Sequence, residues 1–242
     1  MIKEFPNPDV NQDDDVDVVD VVDIARFVIG TPSGTFEEFL ADLNEDGAVN
    51  LGDAVVLVNN IAGEQNFVKG LSVSESVSGN DALILAEANG SLSLCLDNER
   101  YYTAFQFDLY VPENADVSKM MLNGERSQQH QLLYNKVEEG HYRVAALSTS
   151  NNEFNGNDGE LLNIALSGVA GEEVSVRNIH FFDAWGRDYR FEDIEGANAT
   201  AISRPSSVPF FYGEEIFDLQ GRKRSMLQRG VNIVGGKKVI VK

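Results

Sequence analysis

A stretch of twelve residues near the N-terminus recurs 33 positions later, and this duplication constrains the fold more than any other feature of the chain. The first copy runs from Asp9 to Asp20 and the second from Asp42 to Asp53. In both copies, oxygen-bearing side chains occupy positions 1, 3, 5, 9 and 12. Each copy leads into a run with apolar residues at helical spacing, and a glycine closes that run. The pattern predicts two successive loop–helix units.

The oxygen positions match the spacing of an EF-hand calcium loop. Ca²⁺ is a hard ion that takes about six to eight oxygen ligands, which a short loop and the following helical turn can supply. Position 7 contributes a backbone carbonyl and position 9 a water-bridged contact. The predicted ligands are Asp9, Asn11, Asp13, Asp15 (carbonyl), Asp17 and Asp20 in the first copy, and Asp42, Asn44, Asp46, Ala48 (carbonyl), Asn50 and Asp53 in the second. We therefore expect two Ca²⁺ sites, with a solvated acidic surface as the alternative.

The two loops depart from the usual pattern in two ways. Position 12 is Asp in both copies, where Glu is usual. Position 6 requires a sharp turn that favours glycine, and it is Gly47 in the second loop but Asp14 in the first. Asp tolerates the left-handed backbone region better than most residues do. We therefore expect the first loop to be the more strained.

The duplicated loop–helix unit resembles a type I dockerin, in which a calcium loop with Asp at position 12 precedes a single helix, twice over. The resemblance covers residues 7–64, and we assign residues 1–66 to this small all-α module. It implies that the helices dock on a cohesin module, either of another protein or within the same chain or homo-oligomer. The positions that would contact that partner are Val18, Val19 and Arg26 in the first copy, and Leu51, Gly52 and Asn59 in the second.

From residue 67 to residue 195 the chain carries strand signals at short intervals, separated by Gly, Asn, Asp and Ser. The first of these runs is Val68–Val77, and later runs alternate apolar and polar residues. About nine such runs predict an all-β antiparallel sandwich or jelly roll. This region resembles a cohesin-like or carbohydrate-binding β-sandwich through residues 104–112, 141–146 and 159–166.

Residues 196–213 read as a linker and residues 214–242 as a short C-terminal β-tail. Gly235 and Gly236 stand between two alternating apolar runs, which predicts a two-residue hairpin. The tail resembles the C-terminal β-modules of secreted and surface proteins of Bacteroidetes, related members of which act as sorting signals. A plain β-unit packed on the sandwich is the alternative.

Composition limits the function further. The net charge is −20, and residues 1–66 alone hold 15 acidic and 2 basic side chains. Nucleic-acid binding requires a basic face, so the charge argues against it. The single cysteine, Cys95, excludes an intrachain disulfide, and no apolar run approaches the roughly 18 residues of a membrane-spanning helix. No signal peptide follows Met1. Because weak calcium sites fill outside cells, we expect a secreted or outer-surface bacterial protein whose leader lies outside this sequence.

The sequence lacks a recognisable catalytic motif. The three histidines are isolated, and no metal triad, phosphate loop or nucleophile elbow occurs. We therefore expect a non-catalytic protein for calcium-dependent protein–protein interaction and scaffolding, acting in polysaccharide use. The alternative is a carbohydrate-binding protein that uses the sandwich, where Trp185 and Tyr189 offer flat faces to sugar rings. Anchoring of residues 181–191 over the sandwich core is the plainer interpretation of that aromatic segment.

Overall fold

The computed structural model of the chain describes residues 7–63, 81–88, 91–167 and 173–197, together with five short strands beyond them. The N-terminal part contains three helices: α1 Val18–Val28, α2 Glu38–Ala41 and α3 Leu51–Ile61. None of the helices in the described ranges has both the length and the apolar character that crossing a membrane requires. The predicted strand at Val68–Val77 lies outside the described residues.

Both long helices begin at a capping box within the repeat. Asp17 caps α1 and pairs with Asp20 three residues later, and Asn50 and Asp53 do the same for α3. These side chains satisfy amide groups that have no partner inside the helix. Both helices are rich in β-branched residues, which are weak helix formers. The caps and the tertiary packing therefore supply much of their stability.

The rest of the described chain is an antiparallel β-sandwich, as the alternating pattern predicts. The strands are β1 Ala82–Ala88, β2 Ser91–Asp97, β3 Ala104–Tyr110, β4 Asp116–Leu122, β5 Gln131–Glu138, β6 His141–Leu147, β7 Glu160–Ser167, β8 Ser175–Phe182, β9 Asp188–Phe191, β10 Ile194–Glu195 and β11 Ile202–Ser203. One sheet has the order β11-β1-β2-β7-β4 and the other the order β10-β8-β3-β6-β5, with β9 pairing with β8. The inward-facing leucines of β2 and phenylalanines of β3 meet in the core between the sheets.

The helices cover the outer face of the second sheet. A second apolar cluster joins the buried residues of α1 and α3 to four side chains of that sheet: Ala104, Ala145, Leu147 and Phe182. Alternation puts these four on the face opposite the sandwich core. The molecule therefore has three layers, because the helical module packs directly on the β-sandwich.

One boundary differs from the sequence-based assignment. The strand β11 lies within residues 196–213, which we assigned to a linker, and it pairs with β1 through Leu83 and Ile84. Two residues carry no periodicity, so their strand conformation comes from this pairing and was not readable in the sequence. In the tail, Gly230–Val234 (β14) pairs with Lys237–Val241 (β15) in the predicted hairpin register, beside β12 Ile216–Phe217 and β13 Lys223–Arg224.

Candidate functional site

Each twelve-residue loop folds around the carboxylate at its first position. Asp9 accepts hydrogen bonds from the N–H groups of Asp13 (3.1 Å) and Asp14 (3.0 Å). Asp42 accepts the equivalent two bonds in the second loop, both at 3.0 Å. The amide oxygen at position 3 accepts a further bond from position 5, at 2.9 Å in each copy. The two loops therefore share one hydrogen-bonding scheme.

The backbone at position 6 is left-handed in both loops. Asp14 has a φ of 73° and Gly47 a φ of 85°. A side chain with a Cβ atom is disfavoured in this region, and glycine is not. The sharp turn that the spacing predicts is confirmed in both copies, and the first loop makes it with the less suited residue.

The carboxylate at position 12 is fully buried in both copies. Asp53 accepts hydrogen bonds from the N–H groups of Leu43 (2.9 Å), Asn44 (3.2 Å) and Asn50 (2.9 Å). Asp20 makes the same three bonds in the first loop. Burial raises the pKa of Asp53 to about 7 and also raises the pKa of Asp20. No lysine or arginine of the described residues pairs with either, so each buried carboxylate lacks a counter-charge.

Position 9 has a role that the sequence analysis did not assign to it. The side chains of Asp17 and Asn50 accept hydrogen bonds from the N–H groups of Val19 (2.7 Å) and Gly52 (2.6 Å). These side chains are therefore the N-caps of α1 and α3. The signal was present in the sequence as Asp or Asn three residues before Asp, which is a capping-box spacing.

The chemistry of each loop fits a hard cation. Within the described ranges, no group of three or more His, Cys, Asp and Glu side chains stands as a metal cluster. The predicted ligands of the first loop are four carboxylates, one amide and one backbone carbonyl, and those of the second are three carboxylates, two amides and one backbone carbonyl. The Asn11 amide nitrogen donates to the Asp13 carboxylate at 3.1 Å. Ca²⁺ prefers oxygen ligands, both charged carboxylates and neutral amide or backbone carbonyl groups. Together with the uncompensated carboxylate at position 12, this donor set fits Ca²⁺, and the two calcium sites stay a prediction.

The predicted partner positions of the second copy contact the sandwich of the same chain. The N–H group of Leu51, which is fully buried, donates to Gln106 Oε1 at 3.0 Å. Asn59 donates to the carbonyl of Ala184 at 2.8 Å and accepts a hydrogen bond from Asn151 at 2.7 Å. These bonds join α3 to β3 and to the loops that follow β6 and β8.

Two glycines allow the closest approach in this interface. A Cβ atom on Gly52 would lie 2.9 Å from the carbonyl oxygen of Gly186, and one on Gly186 would lie 2.7 Å from the carbonyl oxygen of Gly52. Both distances are too short for real side-chain atoms, and both neighbours are backbone. Gly186 also has a φ of 75°, which favours glycine. The docked position of α3 therefore requires glycine at both residues.

Within the described residues, the predicted partner positions of the first copy do not contact the sandwich. Val18 and Val19 are 45% and 44% exposed, and Arg26 pairs with Asp23 of its own helix. The first copy reaches the sandwich at its far end, where Asn135 donates to the carbonyl of Ile29 at 3.2 Å. Of the six predicted positions, the structure thus brings the three of the second copy to an interface and leaves three in solvent.

The remaining half of the outer sheet face is polar and borders a cleft. Asp108 is 8% exposed and contacts His141 (3.1 Å), Asn178 (2.6 Å) and Arg143 (3.5 Å). The cleft has a volume of about 500 Å³ and lies between this polar group and the end of α1, which supplies Phe27. The sequence analysis missed the cleft, because its walls come from segments more than 70 residues apart in the sequence.

The aromatic segment at 181–191 anchors the sandwich, as the plainer interpretation predicts. Phe181, Tyr189 and Phe191 are buried in the core. Trp185 is 53% exposed on the turn between β8 and β9, beside the glycine that meets α3. His141 and His180 are satisfied by Asp108 and Asp188. The third histidine, His130, stacks on Phe154 with ring centroids 3.8 Å apart, and burial lowers its pKa to about 4.

Comparisons with known proteins give weak similarities to cohesins. No family model matches the sequence, and no curated protein matches it. Among solved structures, the chain is similar to a non-cellulosomal cohesin from the archaeon Archaeoglobus fulgidus (16% identity, 46% of this chain, 84% of that chain, TM-score 0.37). It is also similar to the sixth cohesin of scaffoldin B from Acetivibrio cellulolyticus, solved in complex with a Cel5 dockerin mutant (14%, 50% and 94%, TM-score 0.38). A third match is a cohesin module from a Clostridium perfringens family 33 glycoside hydrolase (13%, 48% and 92%, TM-score 0.36). These values are too low to assign a function to this chain.

Proposed function

We propose that this chain is a non-catalytic, calcium-dependent interaction protein of the dockerin–cohesin type, secreted or held on the outer surface of a bacterium. The observation that carries the proposal is the docking of α3 on the sandwich of its own chain. Leu51, Gly52 and Asn59, where a dockerin would meet its partner, all lie in that interface. The chain thus carries both a docking helix and a surface that receives it.

Calcium has a structural role in this proposal. A two-helix unit has a small core, and small units commonly depend on a bound metal for their fold. The buried carboxylates of Asp20 and Asp53 lack a counter-charge among the described residues, which a divalent cation in each loop supplies. Because the loops cap the helices, calcium stabilises α1 and α3 and, through α3, the docked interface.

Exchange of the docked unit between chains provides the scaffolding function. An interface that closes within one chain also closes between two chains when the connecting segment allows it. One chain then donates its α3 to the sandwich of another, in a closed dimer or a head-to-tail series. The sequence resemblance of the tail suggests sorting to the surface as a further part of the proposal.

The experiment uses two complementary variants of the full chain. Gly52→Val blocks the helix and leaves the receiving surface intact, whereas Gly186→Val blocks the surface and leaves the helix intact. Each variant alone is expected to be monomeric in sedimentation velocity. An equimolar mixture with Ca²⁺ is expected to form a 1:1 complex through the two intact partners, and EGTA is expected to dissociate it.

The controls separate the parts of this proposal. Val19→Gly changes the equivalent position of the first copy and is expected to behave as the wild type. A mixture that stays monomeric with Ca²⁺ would overturn exchange between chains. A complex that survives EGTA would instead overturn the calcium dependence, and calorimetric titration of the full chain with Ca²⁺ would then show fewer than the two expected sites.

Carbohydrate binding is the second candidate function, and one observation favours it. Trp185 is 53% exposed although the residues around it are anchored in the core or against α3. An exposed indole on a fixed turn presents a flat apolar face of the kind that stacks on sugar rings. Saturable binding to a neutral glycan that Trp185→Ala abolishes would establish this function, and unchanged binding in that variant would exclude Trp185 from it.

A further inference from the structure

The cleft between α1 and the second sheet has features of a built site. Its volume of about 500 Å³ falls within the range of small-molecule pockets, which often lie where two units meet. Phe27 and Val28, from the last turn of α1, form an apolar wall. Gln106, Asp108, Arg143 and Asn178, from three strands of the sandwich, form the opposite, polar wall.

The polar wall is held in place by the fold. The pairing of β3 with β8 shifts register between Gln106 and Asp108, so that β8 carries an extra residue there. Asn178 lies in this bulge with a φ of 51°, and its amide donates to Asp108 at 2.6 Å. Bulges of this kind commonly redirect a side chain beside a functional site. The positive φ of Asn178 costs conformational free energy. The surrounding strands and the hydrogen bond from Asn178 N–H to Asp193 (3.1 Å) offset that cost.

Several hydrogen-bonding groups of this wall remain available to a ligand. Arg143 contacts Asp108 through Nε, which leaves its two terminal nitrogens as donors, and its side chain is 43% exposed. Gln106 uses its oxygen for the N–H group of Leu51, and no acceptor among the described residues takes its amide nitrogen, which leaves a donor for a ligand. Asn178 uses its nitrogen for Asp108, and within the described part of the chain its oxygen remains an acceptor for a ligand. The cleft thus offers planar donors and acceptors next to an apolar wall.

The charge of the cleft selects among ligand classes. The guanidinium of Arg143 is balanced by the carboxylate of Asp108, so neither an anion nor a cation finds an unpaired charge there. The net charge of −20 disfavours anionic ligands further. A neutral ligand with adjacent hydroxyl groups on one side and C–H groups on the other matches both walls.

We propose that this cleft binds a neutral saccharide segment, with Arg143, Asn178 and Gln106 taking its hydroxyl groups and Phe27 and Val28 packing on its C–H face. Because α1 supplies one wall and the sandwich the other, the site is complete only while the helices are docked. Saccharide binding and docking are therefore linked, and each strengthens the other. The site is separate from the exposed ring of Trp185.

The test is calorimetric titration of the full chain with soluble β-linked tetrasaccharides of glucose, xylose and mannose, and with a tetrasaccharide of galacturonic acid as an acidic probe. At least one neutral probe is expected to bind saturably, and the acidic probe at least tenfold more weakly. Arg143→Met and Asn178→Ala are each expected to weaken binding of the neutral probe at least tenfold. Gly186→Val, which displaces α3 and the Leu51 N–H group that holds Gln106, is expected to do the same while Arg143 and Asn178 keep their side chains.

Matched variants make every outcome decisive. Arg177→Met removes an arginine of similar exposure (46%) that pairs with Glu195 on the same sheet, and binding is expected to stay within twofold of the wild type. Absence of saturable binding by all three neutral probes overturns the proposal. Binding that Trp185→Ala abolishes while Arg143→Met leaves it unchanged also overturns it, because the ligand then occupies the turn. An equal loss of saccharide binding in Arg143→Met and Arg177→Met shows a nonspecific effect and also overturns the proposal.

Discussion

In the first copy of the repeat, positions 10 and 11 are Val18 and Val19, and both side chains are nearly half exposed. In the second copy the same positions are Leu51 and Gly52, which are buried against the sandwich. The hydrogen bonds inside the two loops match position by position. The duplicated unit therefore has one internal structure and two different surroundings.

Position 11 of the repeat shows which residues determine docking. Val19 carries a Cβ atom next to its N-cap Asp17 without disturbing that cap. A Cβ atom on Gly52 would lie 2.8 Å from Oδ1 of its own N-cap Asn50 and 2.9 Å from the carbonyl oxygen of Gly186, so the nearest obstacle on the sandwich is the Gly186 carbonyl. Gly52 thus belongs to the copy that docks at the N-terminus of its helix, whereas the first copy meets the sandwich at its far end.

Loss of the carboxylate at position 12 is expected to have the greatest effect, and a different one in each of the two loops. Asp53→Ala removes the acceptor of two buried N–H groups and one partly buried one, and a buried N–H group left unpaired costs about 1–3 kcal/mol. We expect the free energy of unfolding of the helical layer to fall by about 3 kcal/mol or more, measured by urea denaturation followed by circular dichroism. Asp20→Ala is expected to melt only the first copy and to leave the Asn59 contacts in place. Equal loss of the docked interface in both variants would contradict the asymmetry.

The next largest effect is expected at position 11, where the two copies carry Val19 and Gly52. Gly52→Val forces side-chain atoms against the Gly186 carbonyl, and overpacking of this kind typically costs about 1–3 kcal/mol. We expect α3 to leave the sandwich, which hydrogen exchange would report as lost protection in β3 and β6. Val19→Gly is the matched control and is expected to leave that protection unchanged. Retained protection in Gly52→Val would show that the two glycines do not set the docked position.

A pH dependence follows from the buried carboxylate of the second copy. Burial raises the pKa of Asp53 to about 7 in the folded chain, above its value when unfolded. The protonated form is therefore favoured by folding, so this stability is present at low pH and is lost as the pH rises towards 7. In EGTA, the free energy of unfolding should fall by about 2 kcal/mol between pH 5 and pH 7 relative to that of Asp53→Asn.

Calcium is expected to reverse this trend, because a bound cation keeps the carboxylate ionised. Thermal unfolding of the wild type and of Asp53→Asn, each with EGTA and with Ca²⁺, measures both effects in one series. Subtracting the variant removes the opposing contribution of His130, whose lowered pKa destabilises the fold as the pH falls. A difference curve that is flat with EGTA would contradict the assignment to Asp53.

The smallest expected effect concerns position 6. Asp14→Gly removes the backbone strain of a non-glycine residue in the left-handed region and should raise the free energy of unfolding by about 1 kcal/mol. Gly47→Asp imposes the same cost on the second loop and should lower it by a similar amount. Thermal unfolding of Asp14→Gly and of Gly47→Asp measures the two opposite changes in stability. Changes of the same sign in both would show that the loops differ in more than this residue.

Several features were readable from the sequence because they depend on short-range interactions. The carboxylate at position 1 accepts hydrogen bonds from the backbone N–H groups of positions 5 and 6. The carboxylate at position 12 accepts them from positions 2, 3 and 9. The capping boxes of α1 and α3 and the alternation in β2 and β3 are equally local. The strand β11 was not readable, since its two residues are ordered by pairing with β1.

The duplicated loops, the two helices that follow them and the sandwich strands could be predicted from the sequence, because each depends on hydrogen bonds or periodicity within a short segment. Tertiary contacts bring the second copy onto the sandwich at Gln106 and Gly186 and form the cleft beside Arg143. These outcomes join residues more than 50 positions apart in the sequence. Shape complementarity between such segments leaves no periodic pattern along the chain, so only the folded molecule reveals it.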